Sequence, residues 1–165
     1  MGSSDTMTPQ LAVPPRIYGP EMRGGTANCG VIVSDEPIGS PVLDVCDILI
    51  TLSAPALHKF EPRVRPGGMV ILDRSLIADG LTRTDLTLYP VEASRAASGK
   101  GNQALATVVL LGCLSGAAGR VTRDSFRQAL TRTLPERLHH LIPAELELFD
   151  FGAAQAADAA VPATT

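Results

Sequence analysis

Residues 98–102, with the sequence SGKGN, form one segment whose residue types suit the binding of an anion. They precede a long apolar run, so we expect their amides and Lys100 near the positive end of a helix, where anions bind favourably. The segment lacks the GxxxxGK[ST] spacing of a P-loop. Asn102 is alternatively the N-cap of a helix that begins at Gln103. The sequence leaves an anion site and a helix cap as two open interpretations.

A second candidate follows the sequence YGPEM and contains two adjacent glycines. Its residues are Arg23, Gly24, Gly25, Thr26 and Asn28. The glycines allow positive φ, and Arg23 with the following amides would meet a phosphate or carboxylate through charge-assisted hydrogen bonds. Spacing alone favours a different interpretation, in which Glu21 pairs with Arg23 at a tight turn. A loop that leads into a strand lacks the helix N-terminus of a strong phosphate site.

Cysteine, histidine and serine show no pattern typical of catalysis or of a metal site. The three cysteines (Cys29, Cys46 and Cys113) have no CxxC spacing, so we predict small buried apolar residues. The histidines (His58, His139 and His140) lack a carboxylate at ligand spacing, and we predict surface or packing roles. Neither Ser94 nor Ser98 stands in a nucleophile elbow. The sequence predicts no catalytic residue and no metal ligand.

Length, composition and charge indicate one soluble globular domain. The chain has 165 residues, of which 45% are apolar and 19% charged, with a net charge of -3 and a pI near 5.5. This charge and the lack of a Lys/Arg run exclude nucleic acid as an expected partner. Residues 103–118 are too short to span a bilayer, and the N-terminus lacks the features of a signal peptide. We therefore expect no membrane partner and a cytoplasmic location.

The first half of the chain predicts a strand–helix–strand unit. We expect strands at residues 29–34, 47–52 and 69–72, with a helix over 53–64 that Ser53 caps and that has Pro55 in its first turn. Residues 65–68, RPGG, are predicted to be the turn that ends this helix.

The second half predicts one more strand and several helices. The strand covers residues 86–91 and is cut short by Pro90. A buried helix over 103–118 has Gly119 as its C′ residue, and Thr122 caps a helix over 123–133. Pro143 is expected to kink or divide a final helix. Residues 1–17 are expected to be a disordered arm, 18–152 the domain, and 153–165 a flexible tail.

Four sequence blocks in order carry a resemblance to a known family. They are YGPEMRGGTANC at 18–29, VIVSDEPIGSP at 31–41, PALHKFEPRVRPGG at 55–68 and GNQALATVVLLG at 101–112. Over residues 18–152 the chain resembles the gamma subunit of the 2-oxoacid:ferredoxin oxidoreductases. The resemblance implies a three-layer α/β fold with a mostly parallel, Rossmann-like sheet flanked by helices, here lacking the first βαβ portion.

The resemblance also implies a function and partners. The family's complex oxidises a 2-oxoacid, here 2-oxoglutarate or pyruvate, with coenzyme A to acyl-CoA, carbon dioxide and reduced ferredoxin. Thiamine diphosphate, magnesium and 4Fe-4S clusters are expected on partner alpha, beta and delta subunits, and no cofactor on this chain. The chain would be non-catalytic, would help assembly and would border the coenzyme A site. We therefore expect Arg23, Gly24, Gly25, Thr26, Asn28, Lys100 and Asn102 to face coenzyme A or a partner subunit.

One departure from the family pattern concerns the start of the chain. Family members carry a strand, a glycine-rich loop, a helix and a second strand before this point, and here about 17 unrelated residues precede Tyr18. Loss of a central strand would leave unpaired amides on its neighbours. A late start codon, a shortened subunit and a segment supplied by a neighbour all explain the difference. A degenerate scaffold domain without coenzyme A contact remains the alternative function.

Overall fold

The computed structural model describes residues 10–12, 28–38, 43–78, 80–159 and 161–162. The chain divides into two units, Met1–Val45 and Cys46–Thr165. In the first unit, β1 (Gln10–Ala12) pairs antiparallel with β2 (Ile32–Ser34), with Leu11 opposite Val33. The strand predicted at 29–34 is thus confirmed in shorter form. Of the predicted disordered arm, residues 10–12 form a strand and the rest lie outside the described residues.

The second unit contains a four-stranded sheet in the order β3-β4-β5-β6. β3 (Cys46–Thr51), β4 (Val64–Asp73) and β5 (Thr87–Val91) are parallel, and β6 (Val161–Pro162) pairs antiparallel with β5. α1 (Ala54–Phe60) and a 3₁₀ turn (Glu61–Arg63) connect β3 to β4. The predicted strand–helix–strand unit is therefore confirmed, and the Ser53 side chain accepts the Ala56 N–H as its N-cap. The helix predicted to reach residue 64 ends at Phe60, because Val64 already pairs with Cys46 as the first residue of β4.

The RPGG segment was predicted to be a turn, and this prediction is wrong, because the four residues belong to β4. Cys46 pairs with Val64 and Ile48 with Met69, so two steps along β3 match five along β4. The extra residues form an irregularity that needs glycine. Gly67 has φ 72° and donates its N–H to Asp85 O at 3.0 Å, a tertiary contact that no local pattern shows.

The strand predicted at residues 86–91 is confirmed as β5, which ends at Val91, and within it Pro90 lies opposite Leu72 of β4. On the other side of β5, β6 pairs with Thr87 and Leu88. Among the residues that the structure describes, no strand pairs with Pro90 on that side, and a proline is accommodated there.

Helices cover both faces of this sheet and give three layers. Val70 and Leu72 of β4 pack in one core with Leu57 of α1, whereas Ile71 packs on the opposite face with Val109. This alternation follows from the two-residue period of a strand. The helices on the face of Ile71 are α2 (Ala93–Gly99), α3 (Ala106–Ala118) and α5 (Ile142–Ala159). The predicted α/β class with a mostly parallel sheet flanked by helices is confirmed.

The helix ends agree with the local sequence signals. Gly119 ends α3 in the left-handed conformation, with φ 63°. Thr122 caps α4 (Arg123–Thr133) by accepting the Ser125 N–H at 3.1 Å. Pro143 stands in the first turn of α5, after a 3₁₀ turn (Glu136–Leu141), so the predicted division of this segment is confirmed.

The last helix extends beyond the point where the sequence predicts an exposed tail. α5 continues through Ala153 to Ala159, and Ala156 is buried against the core. The small residues of this segment let α5 approach α3 closely: a Cβ added at Gly116 would lie 2.4 Å from Ala153 O. The segment thus packs through close backbone contact instead of an apolar stripe. No helix in the described part of the chain is long and apolar enough to cross a membrane.

Candidate functional site

The seven candidate residues fall into three groups in the structure. Arg23, Gly24, Gly25 and Thr26 lie outside the described residues, so their proposed role stays a prediction. Asn28 belongs to the first unit and is exposed. Lys100 and Asn102 belong to the second unit and are both exposed in one turn between α2 and the 3₁₀ turn (Gln103–Leu105) that precedes α3.

This turn is stabilised by its own backbone. The Lys100 N–H donates to Ala97 O at 3.0 Å, and Gly101, with φ 76°, donates to Ser98 O at 2.9 Å. Asn102 Oδ1 accepts the Ala104 N–H at 3.0 Å. Of the two interpretations that the sequence left open for Asn102, the helix cap is therefore present in the structure.

Lys100 forms an ion pair with a carboxylate 47 residues further along the chain. Lys100 Nζ lies 2.5 Å from Glu147 Oε2 on α5, and the two side chains are 44% and 64% exposed. The hydrogen bond from Lys100 holds the pKa of Glu147 below its ordinary value. Lys100 also directly follows the C-terminus of α2, an end that favours a cation. An external anion at Lys100 would therefore compete with Glu147.

Lys100 and Glu147 border a groove between α2 and α5 with a volume of about 550 Å³. The groove is lined by Glu92, Arg95, Ala96, Lys100, Glu147, Leu148 and Phe151. Arg95 pairs with Glu92 at 3.3 Å, so both cations on the rim have an acidic partner. Phe151 is 41% exposed, large for a phenylalanine. The lining of the groove thus combines apolar side chains (Ala96, Leu148 and Phe151) with two cation–carboxylate pairs.

Two buried carboxylates, which the sequence did not single out, hold the ends of the strands in place. Asp73 ends β4 and is fully buried, where its Oδ2 accepts the Ser94 N–H at 2.9 Å and its Oδ1 accepts the Ser75 N–H at 3.0 Å. It therefore ties the carboxyl end of the strand to the first turn of α2. The only signal in the sequence is an aspartate directly after an apolar run.

Glu61 is the second buried carboxylate, at 1% exposure. Its Oε1 accepts the N–H groups of Thr82 and Arg83 at 2.7 and 2.8 Å and the Thr82 hydroxyl at 3.0 Å. Arg83 in turn donates to the carbonyl oxygens of Glu61 and Val64. These contacts fix the loop before β5 against the 3₁₀ turn. All partners lie more than 15 residues apart in sequence, so no local pattern indicates them.

The cysteines occupy three different environments. Cys113 is buried in α3, and burial raises the pKa of its thiol to about 11. Cys46 is partly buried, whereas Cys29 is exposed, so the prediction of a buried thiol is wrong for Cys29. His139 Nε2 lies 3.0 Å from Leu134 O, a packing contact. Among the residues that the structure describes, no group of three or more His, Cys, Asp or Glu is placed to hold a metal ion.

A known protein family matches most of this chain. The family described as pyruvate ferredoxin/flavodoxin oxidoreductase matches residues 14–155 of this chain. This range includes the four blocks of the sequence resemblance and almost all of the second unit apart from its last residues.

Curated relatives include subunits of two oxidoreductases that act on 2-oxoacids. The 2-oxoglutarate synthase subunit KorC of Methanocaldococcus jannaschii is 35% identical over 127 residues, which are 76% of this chain and 68% of that protein. The ketoisovalerate oxidoreductase subunit VorA of Methanothermobacter marburgensis is 36% identical over 138 residues, which are 82% of this chain and 28% of that protein. The chain thus spans about two thirds of one relative and about a quarter of the other.

A solved structure with a similar fold is the gamma subunit of a keto/oxoacid ferredoxin oxidoreductase from Geobacter sulfurreducens. It is 26% identical to this chain, with a TM-score of 0.74, and the match covers 92% of this chain and 82% of that subunit. The three-layer arrangement described above is therefore shared with a subunit of that enzyme.

Proposed function

Since the chain belongs to the pyruvate ferredoxin/flavodoxin oxidoreductase family, we propose that it is the gamma subunit of a 2-oxoacid:ferredoxin oxidoreductase. The observation that carries the proposal is the match of the family over residues 14–155. It is supported by the similarity to a gamma subunit of known structure over 92% of the chain. In this role the chain contributes to the assembly of the enzyme, and its partners are the alpha, beta and delta subunits.

The proposed reaction is the oxidative decarboxylation of a 2-oxoacid. The bond between the carboxylate and the oxo carbon breaks to release carbon dioxide, the acyl group forms a thioester with coenzyme A, and two electrons pass to two ferredoxins. One proton is released from the thiol. Thiamine diphosphate, magnesium and the 4Fe-4S clusters would be bound by partner subunits. We propose 2-oxoglutarate as the substrate, since KorC of Methanocaldococcus jannaschii bears that name and is 35% identical.

Reconstitution tests the proposed role directly. The full chain is co-produced with the remaining subunits of the enzyme, and reduction of methyl viologen is measured with coenzyme A and, in turn, 2-oxoglutarate, pyruvate and 2-oxoisovalerate. We expect the chain to co-purify with these subunits and 2-oxoglutarate to give the highest kcat/KM. A preparation without this chain should lose stability or activity. Equal activity and equal thermal stability with and without the chain would refute the proposal.

The finer proposal is that the Lys100 turn, together with Arg23 and its glycines, borders the coenzyme A site or a partner subunit. Among the described residues, the support is that the Lys100 ammonium is exposed and that Glu147, its ion-pair partner, is exposed as well. Replacement of Glu147 by a phosphate at Lys100 would therefore cost little desolvation energy. Coenzyme A carries phosphates that Lys100 and Arg23 would contact through charge-assisted hydrogen bonds.

Substitutions with opposite expected effects on the KM for coenzyme A distinguish a coenzyme A contact from a packing role. Lys100→Ala and Arg23→Ala are expected to raise the KM for coenzyme A, whereas Glu147→Gln releases Lys100 from its partner and is expected to lower it. The KM for the 2-oxoacid should remain unchanged in all three variants. If Lys100→Ala and Glu147→Gln leave both the KM for coenzyme A and the assembly at wild-type values, this contact does not exist.

A further inference from the structure

Positive charge is concentrated in one part of an otherwise acidic chain. Residues 120–137 contain five arginines and two carboxylates, whereas the rest of the chain contains nine cationic and 15 acidic residues. All five arginines are exposed, namely Arg120, Arg123, Arg127, Arg132 and Arg137. The segment consists of α4 and the turns at its two ends. A cationic surface therefore exists here although the net charge of the whole chain is -3.

The inner face of α4 is firmly attached, so its outer face has a defined orientation. The ring of Phe126 stacks on Phe149 of α5 with a centroid distance of 4.8 Å and an interplanar angle of 13°. Arg123 Nε lies 2.8 and 2.9 Å from the two carboxylate oxygens of Asp150 on α5. Together with the Thr122 cap, these contacts hold the first turn of the helix, and Leu130 further along packs against the same cluster.

The outer face of α4 presents two arginines around a shallow depression. Arg127, Gln128, Thr131 and Arg132 line this depression, which has a volume of about 240 Å³. We call these four residues the α4 arginine surface. The Thr131 hydroxyl donates to Arg127 O and so lies back on the helix. The centre of the surface is therefore uncharged, with a guanidinium on each side.

The two guanidinium charges are weakly compensated within the described part of the chain. Arg127 Nε lies 3.8 Å from Asp124 Oδ1, beyond hydrogen-bond distance, and the two side chains are 56% and 78% exposed. Arg132 forms no ion pair or hydrogen bond with the residues described. Elsewhere in the second unit, cations such as Arg83 and Lys100 have acidic partners at 2.5 Å. Arg127 therefore has one weak, exposed ion pair, and Arg132 has none among the described residues.

We propose that the α4 arginine surface docks an acidic surface of another protein chain in the assembled enzyme, an inference that rests on the proposed function. The planar guanidinium forms paired hydrogen bonds with a carboxylate, and two such groups beside a neutral depression fit a pair of acidic side chains. A nucleic acid is disfavoured, because the remainder of the chain is acidic and would repel a polyanion. A small free anion is disfavoured as well, because the depression is open and both charges are well hydrated.

Charge reversal with a matched control tests this surface. The full chain and its Arg132→Glu, Arg132→Lys and Arg74→Glu variants are each combined with the remaining subunits, and the dissociation constant is measured at low and high salt. Arg74 is also exposed but belongs to the turn after β4, so Arg74→Glu makes the same change of charge outside the surface. Arg132→Lys preserves the charge and removes the planar fork. The folded state of each variant is checked by its unfolding midpoint.

We expect Arg132→Glu to weaken assembly about ten-fold at about 0.1 M salt and less than about two-fold at about 1 M, since the Debye length falls from roughly 10 Å to roughly 3 Å. Arg132→Lys should have a smaller effect, and Arg74→Glu none. Equal effects of Arg132→Glu and Arg74→Glu would overturn the docking surface while the proposed function survives. Failure of the wild-type chain to associate with these subunits at either salt concentration would overturn both.

Two further measurements distinguish other occupants. Sedimentation of the isolated chain detects a second copy: a salt-sensitive dimer that Arg132→Glu abolishes would assign the surface to self-association and overturn the proposal. Calorimetric titration with coenzyme A alone detects a small anion: binding that Arg132→Glu removes would overturn it likewise. We expect neither signal to depend on Arg132.

Discussion

Replacement of Gly152 by alanine tests the close contact between α3 and α5. A Cβ atom at this position would lie 1.9 Å from Val109 O and 3.0 Å from the Cys113 backbone nitrogen. Real Cβ atoms essentially never approach another heavy atom within 3.0 Å, so the gap falls short by at least 1.1 Å. The opposing atoms belong to a helical backbone and not to the end of a flexible side chain. The two helices must therefore move apart.

The free energy of this movement has two opposing parts. Separation loosens the packing of Phe149 and Ala156, both buried on the same helix, and overpacking of a core typically costs about 1–3 kcal/mol. Alanine in place of a helical glycine returns about 1 kcal/mol of helix propensity. Because the clash here is between two backbones, we take the packing cost at its upper end, and the net loss is about 2 kcal/mol. At roughly 2–4 °C per kcal/mol for a chain of this size, the Tm falls by about 4–8 °C.

Urea and thermal unfolding followed by circular dichroism measure this loss. Gly99→Ala in α2 is the matched control, because its Cβ would have no atom within 4 Å. The control should be as stable as the wild type or gain up to about 1 kcal/mol from helix propensity. A Gly152→Ala chain that unfolds at the wild-type midpoint would show that the helices do not approach as closely as described, and the reasoning would be wrong.

Three other outcomes are expected. Glu61→Gln should lower the free energy of unfolding by about 1–3 kcal/mol, since a buried carboxylate that accepts three hydrogen bonds loses its charge; an unchanged urea midpoint would contradict this. Lys100→Met should raise the lowered pKa of Glu147 to its ordinary value in an NMR titration. The stabilisation from this pair is present above the ordinary carboxyl pKa and is lost as pH falls through the lowered one. If the pKa of Glu147 is the same in the wild type and in Lys100→Met, the ion pair does not exist. With its pKa raised by burial from 9.0 to about 11, Cys113 should resist alkylation in the native chain, whereas exposed Cys29 reacts. The stability gained from the neutral Cys113 thiol is full below pH 9.0 and is lost as pH rises through about 11. If mass spectrometry of the alkylated native chain shows both thiols modified, Cys113 is not buried.

Among the candidate site residues, sequence patterns were most informative for Asn102. An asparagine before a helical segment has two uses, an N-cap and an anion contact, and only the coordinates show that Oδ1 accepts the Ala104 N–H. For Lys100 the pattern was incomplete, because its neighbour Glu147 lies on another helix. The arginines of α4 had no motif spacing, since they are distributed around one helix face and its turns.

The features that the sequence predicts correctly are those that depend on local hydrogen bonds. The caps at Ser53 and Thr122 and the left-handed Gly119 depend on partners within four residues, so residue type and spacing are sufficient to locate them. The strand–helix–strand order and the family also follow from residues close together in the chain. The extra residues of β4 at RPGG, the packing of α5 beyond Ala153 and the Lys100–Glu147 pair depend on surfaces that meet only after folding. Their energies come from contacts between segments tens of residues apart, and no local pattern specifies which segments will meet.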